Sequence, residues 1–314
     1  MRATTIALLA SALFLPACAS EPAPSANANA NANAASIEVA AGFYPLEWLA
    51  GRLGGTDVSV TGLTPFGSEP HSVLLGPTQR EAVDRADVVL YLGLGFQPDV
   101  ERAVDQLPDG GTAVDLLVSP GLELIPAPAD LGKEPLSGGE DPHVWLDPAR
   151  LSVIAERTAQ ALVEASPELA AGVQERLVVL QADLAELDGE LEQSLRDCRQ
   201  RTIVTSHAAF GYLADRYDLE QVAISGLSPD DEPDPATLRA VAQRAEAAGV
   251  STVFFEEALP PDLADTVAAE IGAGTDVLGA LEFDPAAEVG KGEDYLSVMR
   301  RNGVSLTRGL DCNG

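Results

Sequence analysis

Residues 166–197 read SPELAAGVQERLVVLQADLAELDGELEQSLRD, and this stretch decides the fold. Ser166 offers an N-cap, and Pro167 sits at the first helical position, where its missing N–H costs nothing. Leu169, Val173, Leu177, Leu180, Leu184, Leu187, Leu191 and Leu195 then recur at spacings of three and four, with Glu and Gln on the other faces. That is a single apolar stripe on one helix. Roughly 31 residues at about 1.5 Å each give about 46 Å, longer than a medium α/β domain is wide. Such a helix is either a coiled-coil arm or a beam across two lobes. An α/β pattern stands on both sides of it, which favours the beam.

Before the beam, Ile37–Ala41, Val58–Leu63 and Asp87–Leu92 read as strands, with helices over Pro45–Arg52 and Pro77–Ala86. Beyond it, strands are expected at Arg201–Thr205, Gln221–Ser225, Thr252–Glu256 and near Asp276–Leu278. Helices are expected at Ala208–Tyr217, Pro235–Ala248 and Pro261–Ile271, and from Asp294 towards Leu310. Short apolar runs alternating with helical periods mean parallel sheets flanked by helices. The expected fold is therefore α/β: two lobes of parallel sheet with flanking helices, joined by one long rigid helix. Residues 37–160 form the N-terminal lobe, 161–198 the linking helix and 199–314 the C-terminal lobe.

The first eighteen residues carry one basic residue, an apolar run and then Leu15-Pro16-Ala17-Cys18. The run is too short to span a bilayer, and its layout is that of an export signal over residues 1–17. Leu-x-Ala-Cys resembles a bacterial lipobox, which would make Cys18 the lipidated first residue of the processed chain. A plain cleavable signal with an incidental cysteine is the alternative. Ala19–Ser36, with its repeated Ala-Asn, has no apolar side chain larger than alanine and cannot offset its ordering entropy by burial. With Cys18 it reads as a flexible tether, residues 18–36, reaching roughly 23 Å as a coil. The folded part would then hang at the outer face of the cell membrane.

Two cysteines remain, Cys198 and Cys312. In an oxidising compartment an even remainder reads as one disulfide, which would pin the last helix to the start of the second half. Two free thiols or a local metal cluster are the alternatives, the latter disfavoured by the wide spacing. The formal net charge of -30 argues against nucleic-acid binding, which needs a basic face. It raises cation density near the surface, although solubility in salt accounts for most of it equally well. Beyond the signal, no segment is long and apolar enough to be transmembrane, so a transport role needs partners in the membrane.

The chain has only three histidines, and each lies at a junction where a strand or an apolar run meets a loop: His71 in Ser-Glu-Pro-His-Ser, His143 in Asp-Pro-His-Val-Trp-Leu-Asp-Pro, His207 in Thr-Ser-His-Ala-Ala-Phe. Ligands of open parallel sheets bind outside the carboxyl ends of strands. Neutral imidazole is the commonest protein ligand for zinc and its neighbours. Each histidine alone could equally be a capping or hydrogen-bonding residue; three in similar places point to one shared ion held between lobes. HExxH and finger spacings are absent. For a fourth, oxygen donor the first choice is Asp284, then Glu256, with Glu282 and Glu69 more remote. Three imidazoles and a carboxylate suit zinc better than manganese, which takes more oxygen ligands.

These motifs resemble those of the zinc/manganese solute-binding proteins of bacterial ABC transporters, the ZnuA-like group, over about Val39 to Cys312. The specific pieces are Glu-Pro-His71-Ser, Asp141-Pro-His143-Val-Trp-Leu-Asp-Pro148, Ser206-His207-Ala-Ala-Phe-Gly-Tyr212 and Glu293-Asp-Tyr-Leu-Ser-Val-Met299. The resemblance implies metal held in a cleft by His71, His143 and His207, the third histidine marking the zinc branch. Asp284 falls where some members place a ligand aspartate, whereas other members lack one there. It also implies a monomer that hands its ion to an ABC permease and its ATPase, with no chemistry performed. One departure stands out: the region Pro126–Glu140 has no histidine, where many zinc members carry a histidine-rich loop. A metallohydrolase with a three-histidine zinc site, using Glu256 as general base, and a surface adhesin of the same fold are the rival readings.

Overall fold

The structure is a computed structural model that describes residue 1 and residues 37–108, 111–128, 139–231, 233–256, 261–288 and 290–313. The expected signal, Cys18, the tether and residues 129–138 of the acidic loop lie outside the described residues.

In the N-terminal half β1 (Ile37–Ala41) leads through α1 (Tyr44–Gly54) to β2 (Val58–Gly62), and α2 (Pro77–Arg85) leads to β3 (Val88–Tyr91). Then α3 (Pro98–Val104) precedes β4 (Ala113–Asp115). The four strands are parallel, in the order β2-β1-β3-β4. Two helices follow, α4 (Pro148–Ala165) and α5 (Ala170–Leu195). The second half repeats the pattern with β5 (Thr202–Thr205), α6 (Gly211–Arg216), β6 (Glu220–Ala223), α7 (Pro235–Ala248), β7 (Thr252–Phe255), α8 (Asp262–Ile271) and β8 (Gly274–Val277). Its strands are again parallel, in the order β6-β5-β7-β8. The short α9 (Pro285–Glu288) and α10 (Tyr295–Gly309) complete the chain.

Alternation along each strand assigns the core. Val39, Ala41, Val88 and Leu90 join Ile203 and Phe254 in one apolar body that follows α1, α4, α5 and α10. Their neighbours face the other way: Ala40 and Val89 into a separate N-terminal cluster, Val204 and Val253 into a C-terminal one. Each sheet is thus covered on both faces, as parallel sheets require. The inner body continues from one lobe to the other because α5 buries Val173, Leu177, Leu180, Leu184, Leu187, Leu191 and Leu195 along its length. The stripe read from sequence is the brace between lobes.

Its start differs from expectation. Ser166 makes no side-chain cap; Pro167–Leu169 form a single 3-10 turn, and the regular helix runs from Ala170, about 39 Å long. The turn returns the chain from α4, whose buried face carries Leu151, Ile154, Ala155, Thr158 and Leu162. The brace is tied to α1 by Arg52 to Asp183 at 2.5 Å and by Arg176 to the Leu53 carbonyl at 2.5 Å. Cys198 and Cys312 form a disulfide joining the end of α5 to the end of α10. No described helix is long and apolar enough to cross a membrane.

Candidate metal centre

The three histidines come from three loops at the carboxyl side of the sheets. His71 lies between β2 and α2, and His207 lies two residues past β5. His143 begins the turn Val144–Leu146 that leads into α4. Glu282 follows β8. Their side chains are 6%, 0%, 0% and 1% exposed for His71, His143, His207 and Glu282, so they meet in the interior and not on a surface. The four ligand atoms all lie within 4.8 Å of one another.

The spacings carry the chemistry. His71 Nε2 is 3.3 Å from His143 Nε2 and 3.3 Å from Glu282 Oε1. Glu282 Oε1 is 3.6 Å from His143 Nε2 and 3.4 Å from His207 Nε2. Four donors about 2.0–2.1 Å from a tetrahedral centre stand about 3.3–3.4 Å apart along every edge. The four edges above run from 3.3 to 3.6 Å, at or just beyond that figure, and the two between His207 and the other imidazoles lie within 4.8 Å.

The far sides of two rings are held by carboxylates. His143 Nδ1 donates to Asp141 Oδ1 at 2.7 Å, and His207 Nδ1 donates to Glu256 Oε1 at 2.6 Å. A proton on Nδ1 leaves the Nε2 lone pair facing inwards, which fixes the tautomer a ligand needs. His71 differs: among the described residues its Nδ1 has no partner. His207 Nε2 and Glu282 Oε2 are likewise buried without a hydrogen-bond partner, a cost an ion at the centre would remove.

Burial pushes the His71 imidazole below its ordinary value. Burial pulls the same way on His143, but Asp141 and Glu282 outweigh it and the ring is raised. His207 is raised well above the usual value, burial being overcome by Glu256 and Glu282. Glu282 is buried as well, yet the three imidazoles hold its carboxyl far below the ordinary range. Glu69, whose carboxylate accepts the N–H groups of His71 and Ser72 at 2.9 Å each, is pushed up to about 7 by burial and by Glu282.

Of the carboxylates weighed for the fourth position, Asp284 is excluded from the cluster. Its side chain is exposed and accepts the Ala286 N–H at the start of α9. Glu282 stands in the place expected for it. Glu256, the second choice, orients His207 from behind and does not face the centre. Leu281, immediately before Glu282, has φ 59°, a left-handed conformation costly for a bulky residue. Spacing from a strand end cannot reveal that turn. The available signal was local, an acid flanked by Leu281 and Phe283 in an apolar run.

Two parallel α/β lobes are thus braced by one helix, with a buried cage of three imidazoles and one carboxylate drawn from both halves of the chain. The chain belongs to the family described as zinc-uptake complex component A, periplasmic, whose model matches residues 39–309. It is 32% identical over 314 residues to zinc-binding lipoprotein AdcA of Streptococcus pneumoniae, an alignment covering 98% of this chain and 61% of that protein. The chain thus spans about three fifths of that relative's length. It is 30% identical over 275 residues to the high-affinity zinc uptake system protein ZnuA of Bacillus subtilis, covering 85% of each. The Zn(II)-bound ZnuA-like domain of Streptococcus pneumoniae AdcA superposes with a TM-score of 0.73 at 30% identity, over 88% of this chain and 99% of that one.

Proposed function

We propose that this protein captures one zinc ion through His71, His143, His207 and Glu282 and delivers it to an ABC permease and its ATPase. The ion is cargo, not a resident cofactor. The observation that carries the reading is the near-tetrahedral spacing of four buried donors, two of them oriented by carboxylates. Relatives named for zinc binding and zinc uptake support it. Three nitrogens and one oxygen in a closed shell suit zinc, whereas manganese prefers more oxygen. In this reading the protein acts as a monomer, exported and held at the outer face of the membrane through Cys18, with the lobe divisions set out above. The metallohydrolase reading loses its general base, because Glu256 is bonded to His207 Nδ1 at 2.6 Å. Four protein donors also leave no open coordination position for water.

Calorimetric titration is expected to give one zinc per chain with an affinity that rises with pH. The sign follows from His207. Burial lowers its imidazole but Glu256 and Glu282 raise it above the ordinary value, so zinc competes with a proton there to higher pH than at a free imidazole. Zinc must displace that proton, and affinity therefore rises with pH by about tenfold per unit for each proton displaced. The rise continues above pH 6.5 instead of levelling there. Repeating the titration in buffers of different ionisation heat measures the release; a flat pH profile would count against the assignment.

Import is tested in cells. A strain lacking this protein is expected to grow poorly at low zinc and to recover with added zinc or with the wild-type protein. The His207→Ala protein should not restore it. A defect in surface attachment that zinc does not relieve would favour the adhesin reading.

A further inference from the structure

His143 and His207 are oriented through their rings, by carboxylates on Nδ1, but His71 has no such partner among the described residues. Its placement must come from its backbone and from ring packing. Glu69 holds the His71 N–H at 2.9 Å, and two consecutive residues after β3 supply the ring packing and a hold on the preceding carbonyl. The Phe96 ring meets the His71 ring at 4.5 Å between centroids and 72° between planes. Gln97 is fully buried, and its Nε2 lies 3.3 Å from the Pro70 carbonyl, the residue immediately before His71. The same nitrogen reaches the Gly42 carbonyl at 3.1 Å and Thr64 Oγ1 at 3.0 Å. One amide thus gathers the ends of β1 and β2 and the histidine loop.

The bonds are not equivalent. Gly42 has a second donor, the Thr64 hydroxyl at 2.7 Å. Pro70 has little else among the described residues, since the Val73 N–H stands at 3.5 Å. Gln97 thus holds the carbonyl of the peptide that carries His71, while Glu69 accepts the N–H of the same peptide at 2.9 Å. Its own Oε1 is buried without a partner, facing Gly42, where a Cβ would collide with it. An apolar side chain of similar volume would avoid stranding that acceptor. A polar group kept against that cost is present for what its nitrogen does.

We infer that Gln97 is a positioning residue for zinc capture, holding the Pro70 carbonyl so that the His71 ring, which has no partner on Nδ1 among the described residues, faces the other three donors. This rests on the zinc reading above. The test is a double-mutant cycle on zinc affinity with Gln97→Met and His71→Ala, the remaining three donors keeping binding measurable. Gln97→Met is expected to weaken binding about tenfold or more in the wild-type background, as loss of supporting partners does. In the His71→Ala background it should cost less than about twofold. An equal loss in both backgrounds, or none in the first, overturns the inference.

Melting of the metal-free variant checks that it folds. Gln97→Asn, which keeps the amide but withdraws it from Pro70, serves in its place if methionine does not. Ring contacts seen by NMR between His71 and Phe96 in the metal-free protein should weaken in either variant. Their persistence would overturn the inference even if the wild-type protein bound no zinc, an outcome that would instead defeat the functional reading.

Discussion

Glu282→Gln is expected to weaken zinc binding by about two orders of magnitude or more, while Asp284→Asn leaves it within about twofold. Glu282 Oε1 lies 3.3 to 3.6 Å from the Nε2 atoms of all three histidines, and the amide would remove a full negative charge from the centre. Changing even the partners behind a ligand typically costs about 10–100-fold in affinity, so loss of the donor itself should cost at least the upper end. Asp284 is two residues away but exposed, and its bond to the Ala286 N–H serves only the start of α9. Competition with a chromophoric chelator measures both variants on one scale. Equal losses, or a larger loss for Asp284→Asn, would sink the assignment of the fourth donor.

The contrast between these two acids shows what a sequence can and cannot convey here. Position along a strand–helix alternation is a one-dimensional property, and it located β1, α7 and the apolar stripe of α5 closely. It also brought His71, His143 and His207 to the carboxyl ends of the sheets, because the parallel topology leaves those ends open together. Which of two neighbouring acids faces inwards is a three-dimensional property: Glu282 is buried beside the imidazoles and Asp284 is exposed. Glu256 shows the same limit differently. Its place at the end of β7 is legible, yet only the distance to His207 Nδ1 reveals that it supports a ligand. Helix α3 is too short, at 7 residues, to carry a periodic pattern, whereas α4 does carry one in Leu151, Ile154, Ala155, Thr158 and Leu162 and is legible in the sequence.

Replacing Cys198 and Cys312 by serine is expected to lower stability by about 5 kcal/mol while leaving zinc affinity within about twofold. The bridge closes a loop with a sequence separation of 114, and loop entropy for that length gives about 5 kcal/mol in the unfolded state. A domain's whole stability is about 5–15 kcal/mol, so this is a large share. At about 2–4 °C per kcal/mol, the melting temperature should fall by about 10 °C or more. The native contacts survive the change: Arg199 N–H donates to the Asp311 carbonyl at 3.2 Å, Gln200 N–H to the Leu310 carbonyl at 3.0 Å and Asn313 N–H to the Asp197 carbonyl at 3.2 Å. Those bonds keep α10 in place, and the bridge precedes β5 while His207 follows it, which separates the disulfide from the metal site. Zinc in excess should then compensate. Binding at about 1,000 times Kd adds about 4.1 kcal/mol, so the zinc-loaded serine variant should melt near the metal-free disulfide-bonded protein. Thermal unfolding of both proteins with and without zinc tests this; an unchanged melting temperature would contradict the loop-entropy account, and a lost zinc effect would show that the bridge shapes the site after all.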